Sequence, residues 1–245
     1  MRNIKLIIEY EGTAYSGWQS QDNATGIQEV IEKAIKKTTG EKVKLLAAGR
    51  TDAKVHAKGQ VANFYTSSKI PGERFKLSLN IKLPDDIKII ESEEVDSDFH
   101  SRFSATKKRY RYIIYNGITP RPLYRNFSYH VHRPLDLKEM RKSIKYFIGE
   151  KDFRSFMGRS SVVHTTVKEI YSMEIIENGE FIEIVVEGKS FLKNMIRIIV
   201  GTLVYVGIGR IKSEDVEKII EGRKRRLAGP TAPPQGLFLE KVYYD

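Results

Sequence analysis

Strand-like and helix-like segments alternate along the whole of this 245-residue chain. The apolar, β-branched run at residues 4–10 predicts a buried strand, and apolar residues at helical spacing over 27–35 predict a helix that ends at Gly40. The same patterns predict strands at 43–48, 60–65, 87–95, 110–115, 168–176, 181–187 and 236–243, and helices at 73–80, 136–147, 192–205 and 213–221. The alternation predicts an α/β fold in which helices cover one face of the sheets.

The chain is long and apolar enough to bury a core, since 40% of its residues are hydrophobic and 30% are charged. These proportions exclude a globally disordered protein. No fixed-period repeat is present, which argues against solenoids and propellers. Both halves show the α/β pattern, and we expect one domain at residues 1–104 and a second at 105–245.

The charge balance indicates the class of partner. The chain has 42 Lys and Arg residues against 31 Asp and Glu residues, for a net charge of +11. A folded protein this basic favours polyanions, because cations that neutralise phosphates release condensed counterions. Acidic proteins and membrane surfaces would also be attracted, so the charge alone indicates no chemistry.

The chain contains no cysteine, which excludes disulfides, thiolate metal sites and a cysteine nucleophile. No segment approaches the roughly 18–20 apolar residues that span a bilayer. The first three residues lead directly into a strand-like run without the apolar region of a signal peptide. We therefore expect a cytoplasmic protein with no membrane partner.

The densest polar cluster lies at residues 49–56, directly after a predicted strand, where a loop on a rigid scaffold commonly presents reacting groups. The Asp52 carboxylate suits a nucleophile or general base, and Arg50 suits a partner for that carboxylate or for a phosphate. The alternative is an Asx turn with a surface ion pair. His56 lacks neighbours at metal-ligand spacing, so we expect it to pack structurally.

A second cluster, at residues 106–112, combines cations with aromatic rings on a predicted strand. Strand geometry would place Arg109 and Arg111 on one face and Tyr110 and Tyr112 on the other. Such faces suit RNA, because cations neutralise phosphates and a ring stacks on an unpaired base. The alternative is a half-buried strand with a solvated basic face.

Two further basic segments follow. Arg197 lies in an otherwise apolar predicted helix, and a buried arginine needs an anionic partner because an unpaired buried charge is very costly. The Asp52 carboxylate is one candidate partner, and a structural salt bridge elsewhere is the alternative. The run at 223–226 would either bind phosphates or form a solvated helix end, and the Pro-rich segment 228–234 predicts an ordered connection to the last strand.

Six segments together resemble the TruA-type tRNA pseudouridine synthases. They are IEYEGTAYSGWQ at 8–19, GRTDAKVHAKGQVANF at 49–64, DFHSRFSATKKRYRYIIYN at 98–116, DFRSFMG at 152–158, SFLKNMIRIIVGTL at 190–203 and LAGPTAPPQGLFL at 227–239. No single string is decisive, but their order and spacing over nearly the whole chain are highly specific.

The resemblance implies two α/β halves with antiparallel-rich mixed sheets around a central basic cleft. It implies an isomerase that converts uridine to pseudouridine at positions 38, 39 and 40 of the tRNA anticodon stem-loop, without cofactor or metal, as a homodimer. Asp52 matches the family's catalytic aspartate and Arg197 matches the basic residue that pairs with it. Tyr110 matches the residue that stacks on the target uracil, and Arg50 matches an arginine that helps to extrude the base.

We expect the remaining substrate contacts to come from cations near these residues: Lys54, Lys107, Lys108, Arg109 and Arg111. Lys54 departs from the family pattern GRTDAGVHA, in which a glycine stands at this position. A positive φ there would strain a lysine by about 1 kcal/mol. We favour the other interpretation, in which the backbone is unstrained and Lys54 adds a phosphate contact.

Two other functions fit parts of the sequence. An RNA-binding or chaperone protein would keep the basic residues but would not need a carboxylate among phosphates, so Asp52, Tyr110 and Arg197 argue against it. A metal-dependent nuclease would need a cluster of acidic residues, which the matched segments lack. The RNA-modifying isomerase remains the function that the sequence favours.

Overall fold

The structure, a computed structural model, describes residues 1–20, 24–158 and 163–245. The chain forms two compact units. The first unit comprises Met1–Thr106 and Phe238–Asp245, and the second unit comprises Lys107–Leu237. The sequence prediction assigned 105–245 to one half, whereas in the structure the last strand belongs with the first unit. No pattern within that strand indicates which strand it pairs with.

Ten strands and five α-helices make up the regular structure of the described residues. The strands are β1 (Arg2–Tyr10), β2 (Leu46–Ala47), β3 (His56–Thr66), β4 (Ile87–Val95), β5 (Ala105–Tyr115), β6 (Tyr129–His130), β7 (Gly149–Asp152), β8 (Val167–Asn178), β9 (Phe181–Gly188) and β10 (Leu237–Tyr244). The helices are α1 (Ile27–Thr39), α2 (Phe75–Asn80), α3 (Leu137–Ile144), α4 (Met195–Gly207) and α5 (Asp215–Glu221). None of these helices is long and apolar enough to cross a membrane.

The first unit is built on strands in the order β4-β1-β3-β10, with β2 paired to β3. The β1–β3 and β1–β4 pairs are antiparallel, whereas β10 runs parallel to β3. Alternate β1 residues are fully buried, which is the period-two pattern of a strand with one face on a core. Helix α1 buries one apolar stripe and ends at Gly40, whose φ of +78° suits a residue without a Cβ.

The second unit is built on the antiparallel order β5-β9-β8-β7, with β6 parallel to β5. Helix α4 is buried around most of its circumference, as its nearly uniform apolar sequence predicts. Helix α3 begins after Asp136, whose side chain accepts a hydrogen bond from the Glu139 backbone N–H. Both units therefore combine helices with mostly antiparallel sheets, which confirms the predicted fold class.

Element bounds differ from the predictions where tertiary contacts outweigh local pattern. The predicted strand at 43–48 is reduced to the two residues of β2, while β3 begins at His56 rather than at residue 60. Helix α4 begins at Met195 rather than at residue 192, because Asn194 has a left-handed backbone. The short strands β6 and β7 were not predicted, since two to four residues show no clear periodicity. Strand β4 matches its predicted bounds.

Candidate active site

The first candidate region is the tight turn that precedes β3. The Val55 backbone N–H donates to the Asp52 carbonyl at 3.2 Å, which closes a four-residue turn that we call the Asp52 turn (residues 52–55). The Asp52 side chain is half-buried, and Arg50, two residues before it, is exposed. The turn therefore holds a half-buried carboxylate in the first unit, with a cation close by in sequence.

A second loop, which we call the clamp segment (residues 12–18), packs its backbone against the Asp52 turn. The Trp18 N–H donates to the Thr51 carbonyl at 3.1 Å, and the Lys54 N–H donates to the Tyr15 carbonyl at 3.4 Å. Gly17 has a φ of +106°, and a Cβ there would lie 2.6 Å from the Thr51 carbonyl oxygen. The close approach needs glycine, since any side chain would meet the backbone that leads into Asp52.

Side chains hold the residues that lead into the Asp52 turn. The hydroxyls of Tyr10 and Thr51 lie 2.7 Å apart in a hydrogen bond, and Gln60 Nε2 donates to the Gly49 carbonyl at 2.8 Å. Burial raises the pKa of the Tyr10 phenol well above its usual range, so Tyr10 stays a neutral partner for Thr51. The backbone that leads into Asp52 is therefore held in place by buried, uncharged groups.

His56 has the packing role that the sequence favoured. Its side chain is buried, its ring stacks on Phe238 at 4.8 Å between centroids, and Nδ1 accepts a hydrogen bond from the Gly12 N–H at 3.0 Å. This last contact ties the clamp segment to the start of β3. Across the three described ranges no group of three or more His, Asp or Glu side chains is arranged to hold a metal ion.

Lys54 corrects the interpretation that we favoured from the sequence. Its φ is +64°, so the residue does adopt the left-handed backbone for which glycine is suited, and the preference for an unstrained lysine is wrong. Its side chain is exposed, so a phosphate contact stays a separate prediction.

Strand β5 alternates as predicted between a cationic and an aromatic face. Tyr110 and Tyr112 are buried, while Arg109 and Arg111 are half-exposed. The Tyr110 ring meets Phe191 edge-on, with centroids 5.2 Å apart. Phe191 therefore supports the ring that the sequence matched to uracil stacking.

The cationic face of β5 is paired with glutamates of the neighbouring strand β9. Lys107 Nζ lies 2.9 Å from Glu187, Arg109 lies 3.9 Å from the same carboxylate, and Arg111 pairs with Glu183. The hydrogen bond from Lys107 holds the pKa of the Glu187 carboxyl below its usual range. Lys108 is half-exposed on the same strand. Part of the positive charge that the sequence assigned to RNA is thus balanced within the second unit.

Arg197 is half-buried on the first turn of α4, where two neutral oxygens hold its guanidinium. Nε donates to the Ala232 carbonyl and Nη1 donates to Asn194 Oδ1, both at 2.8 Å. The Ala232 N–H in turn donates to the Arg197 carbonyl at 3.0 Å. Ala232 thus contacts both the backbone and the side chain of Arg197, which links the guanidinium to the Pro-rich segment 228–234.

The comparison with known families shows which protein family contains these residues. Residues 6–104 and 143–245 match the family described as tRNA pseudouridine synthase, and the match includes Asp52 and Arg197. The chain belongs to the tRNA pseudouridine synthase family. It is therefore an isomerase that acts on tRNA, as the resemblance implied.

Relatives from this family match the chain from end to end. A tRNA pseudouridine synthase A from Acetivibrio thermocellus is 53% identical, and one from Ruminiclostridium cellulolyticum is 51% identical; each alignment covers 100% of both chains. Among solved structures, a Cbf5-Nop10-Gar1 complex is similar with a TM-score of 0.37 and 13% identity, covering 82% of this chain and 54% of that chain. The assignment rests on the family match and the sequence relatives alone.

The segment 228–234 shows how this pseudouridine synthase supports Arg197. The buried Tyr112 hydroxyl donates to the Pro233 carbonyl at 2.7 Å, and Arg225 Nη1 donates to the Gly229 carbonyl at 2.9 Å. Burial raises the pKa of the Tyr112 phenol well above its usual range, and the positive charge of Arg197 partly opposes that rise. Arg225 belongs to the run that the sequence predicted either to bind phosphates or to form a solvated helix end, and in the structure it braces this segment.

Several of these supporting residues were not singled out from the sequence. Ala232 acts through its backbone, and Asn194 places its amide oxygen from an unusual backbone conformation, so neither has a signal in a single sequence. The sequence indicated only that Gly17 lies in a loop. In the structure its positive φ explains why a glycine occupies this position. Gly229 has a similar role, since a Cβ there would lie 2.6 Å from the Gly201 carbonyl oxygen of α4.

Proposed function

We propose that this tRNA pseudouridine synthase modifies uridines at positions 38, 39 and 40 of the anticodon stem-loop, with Asp52 as its nucleophile. The observation that carries the proposal is the Asp52 turn, a half-buried carboxylate whose backbone is held by the clamp segment. The choice of tRNA positions is supported by the order and spacing of the six segments that resemble TruA-type enzymes.

The reaction is an isomerisation, so atoms and electrons balance without a co-reactant. The C1′–N1 glycosidic bond breaks, the uracil rotates, a C1′–C5 bond forms, and the C5 proton leaves as N1 gains one. The base must leave its stack and be retained while it is detached. Asp52 attacks C1′ of the ribose or C6 of the uracil, or it removes the C2′ proton of the ribose. All three steps use an ionised carboxylate.

The other proposed roles follow the chemistry of each side chain. Arg197 stabilises the negative charge of Asp52 and orients it, because a guanidinium matches a carboxylate in shape and charge. Tyr110 stacks on the uracil, with Phe191 in edge-on contact with the tyrosine ring. The exposed Arg50 assists extrusion of the base, and Lys54, Lys107, Lys108, Arg109 and Arg111 contact phosphates. We expect Lys54 to contribute more than Lys107 or Arg111, whose charges are balanced by glutamates.

Asp52→Asn tests the nucleophile. The amide keeps the shape of the side chain and removes the charge, so formation of pseudouridine should be abolished while tRNA affinity changes little. The measurement is site-by-site mapping of pseudouridine in an unmodified tRNA transcript, with filter binding for affinity. Asp85→Asn is the matched control, since Asp85 is a fully exposed carboxylate of the same unit and should retain full activity.

Three results would overturn parts of this proposal. Activity in the Asp52→Asn enzyme would remove the nucleophile, and modification outside positions 38–40 would remove the assigned sites. Loss of activity in EDTA would show that a metal takes part, contrary to the cofactor-free reaction proposed.

We also propose that the enzyme is a homodimer and works in the cytoplasm alongside its tRNA substrate. A monomeric mass by light scattering at assay concentrations would contradict the dimer.

A further inference from the structure

Asn194 departs from two local rules at the start of α4. It is the residue before the first helical turn, and its φ of +61° and ψ of 4° are left-handed. Asparagine tolerates this conformation better than most residues, but the conformation still costs free energy relative to a glycine. A cost at this position indicates that the side chain contributes something that glycine would not.

The second departure concerns helix capping. An asparagine at the N-cap commonly accepts a hydrogen bond from a backbone N–H of the first turn, which stabilises the helix. The Asn194 side chain makes no such bond. Its Oδ1 instead accepts from Arg197 Nη1 at 2.8 Å, three residues along the chain. The amide oxygen is thus used to hold the arginine rather than to cap the helix.

The orientation of the Asn194 amide is fixed by chemistry. A guanidinium has only donors, so it must meet the amide oxygen and not the amide nitrogen. The nitrogen then lies on the side of Gly158, where a Cβ would be 2.7 Å from Asn194 Nδ2. The Gly158 N–H also donates to the Lys193 carbonyl at 2.9 Å, next to Asn194 in the chain. Space at Gly158 therefore lets the amide keep this orientation.

Two acceptors at different atoms define the plane of the Arg197 guanidinium. Arg197 Nε donates to the Ala232 carbonyl and Nη1 donates to Asn194 Oδ1. These two hydrogen bonds restrict rotation about the last bonds of the arginine side chain. A planar guanidinium recognises a carboxylate well only when its plane is correctly aimed. Without the Asn194 acceptor, the position of Nη1 would be less restrained.

We propose that Asn194 is a positioning residue for the isomerisation, which aims the Arg197 guanidinium at the catalytic carboxylate through its amide oxygen. This inference rests on the proposed role of Arg197 as the partner of Asp52. Because Asn194 would act through Arg197, we expect it to affect the rate of the chemical step and not the affinity for tRNA.

Two variants separate the amide oxygen from the backbone conformation. Asn194→Gly keeps a comfortable left-handed backbone and removes the acceptor, whereas Asn194→Ala removes the acceptor and adds backbone strain. The assay is single-turnover release of tritium from 5-tritiated uridine in an unmodified tRNA transcript, because the C5 proton leaves during the reaction. Filter binding measures tRNA affinity and thermal melting measures folding.

We expect the Asn194→Gly and Asn194→Ala enzymes to be slower by about tenfold to a hundredfold at saturating enzyme, the value of a lost hydrogen bond to a charged group. Their affinity for tRNA should change by less than about twofold. A wild-type rate for Asn194→Gly would overturn the inference, because the amide oxygen would then not be what matters.

A double-mutant cycle distinguishes this inference from the proposed function. In an Arg197→Lys background, Asn194→Gly should slow the reaction by less than about twofold further, because Asn194 acts only through the guanidinium. Full independent losses would show a structural role instead. If Arg197→Lys and Arg197→Ala retain the wild-type rate, the proposed role of Arg197 fails. If those enzymes are slow while the Asn194 variants are normal, only the inference fails.

Discussion

The Asp52 turn and the Arg197 guanidinium are both held firmly, but by different kinds of contact. The Asp52 turn is held by backbone against backbone, where Gly17 approaches the Thr51 carbonyl more closely than any other residue could. Arg197 donates directed hydrogen bonds to the Asn194 side-chain oxygen and to the Ala232 carbonyl. The contact at the Asp52 turn depends on Gly17 having no side chain. The contact at Arg197 depends on hydrogen-bond acceptors at defined positions.

This difference teaches which changes each region tolerates. A backbone clamp should be insensitive to loss of a single polar side chain and very sensitive to an added methyl group. A hydrogen-bonded guanidinium should be sensitive to loss of one acceptor or of the groups that hold that acceptor. The three predictions below probe this contrast in each unit.

Among the changes that probe this contrast, Gly17→Ala should have the largest effect. The new Cβ would lie 2.6 Å from the Thr51 carbonyl oxygen and 3.0 Å from the Asp52 carbonyl carbon, so the clamp segment and the backbone at Thr51–Asp52 must move apart. A displacement of about 1 Å at a reacting group can cost about a hundredfold in rate. We therefore expect the single-turnover rate to fall by about a hundredfold, with a lower melting temperature.

Gly40→Ala is the matched control for this change. Gly40 also has a positive φ, +78°, and lies in the same unit, but a Cβ there would meet no atom within 4 Å. The control carries the backbone strain of about 1–2 kcal/mol without the clash. Its melting temperature should fall while its rate stays normal. Equal rates in the two variants would contradict the backbone clamp.

The second effect comes from a pair of buried tyrosines. The Tyr112 hydroxyl donates to the Pro233 carbonyl, next to Ala232, while the Tyr10 hydroxyl bonds to Thr51, next to Asp52. Each Tyr→Phe change should lower the free energy of unfolding by about 1 kcal/mol, the net value of one hydrogen bond. Urea denaturation would measure both losses.

The rates should differ even though the losses in stability are similar. Tyr112→Phe loosens the segment that carries the Ala232 acceptor, so we expect the single-turnover rate to fall by about fivefold. Tyr10→Phe leaves the clamp segment in place, so its rate should remain within about twofold of the wild type. A larger loss of rate for Tyr10→Phe would reverse the contrast between the two regions.

The sequence predicted the fold well where its signals are periodic. Strand β4 and the buried stripe of α1 follow local patterns, and both were predicted. The alternation of arginine and tyrosine on β5 was also predicted, since it depends only on strand geometry. The parallel pairing of β10 with β3 joins residues nearly two hundred positions apart, and no local pattern indicates it.

In the candidate site, too, some residues were predicted from the sequence and others were not. Asp52, Tyr110 and Arg197 were identified because their side chains lie in segments that resemble a known family. The residues that hold them were missed, because Gly17 acts through a missing side chain and Ala232 through its carbonyl. Pairing of the β5 cations with Glu183 and Glu187 could not be foreseen either, since strand register is not visible in a single sequence.

Lys54→Gly should give the smallest effect. At a φ of +64° the lysine carries about 1–2 kcal/mol of left-handed strain, whereas glycine loses about 0.5–1 kcal/mol more conformational freedom on folding. The balance predicts a gain in the free energy of unfolding of about 0.5 kcal/mol, which urea denaturation would measure. Lys54→Ala is the matched control, because alanine also lacks the charge but keeps the Cβ and hence the strain.

Both Lys54 variants should lose the same tRNA affinity, and a single lost phosphate contact would reduce the slope of log K against log salt by about 1. The glycine variant also tests the clamp. If the clamp segment alone fixes the Asp52 turn, a more flexible residue at position 54 should leave the single-turnover rate unchanged. A slower Lys54→Gly enzyme beside a normal Lys54→Ala enzyme would show that stiffness within the turn, and not only contact from outside, keeps the carboxylate in place.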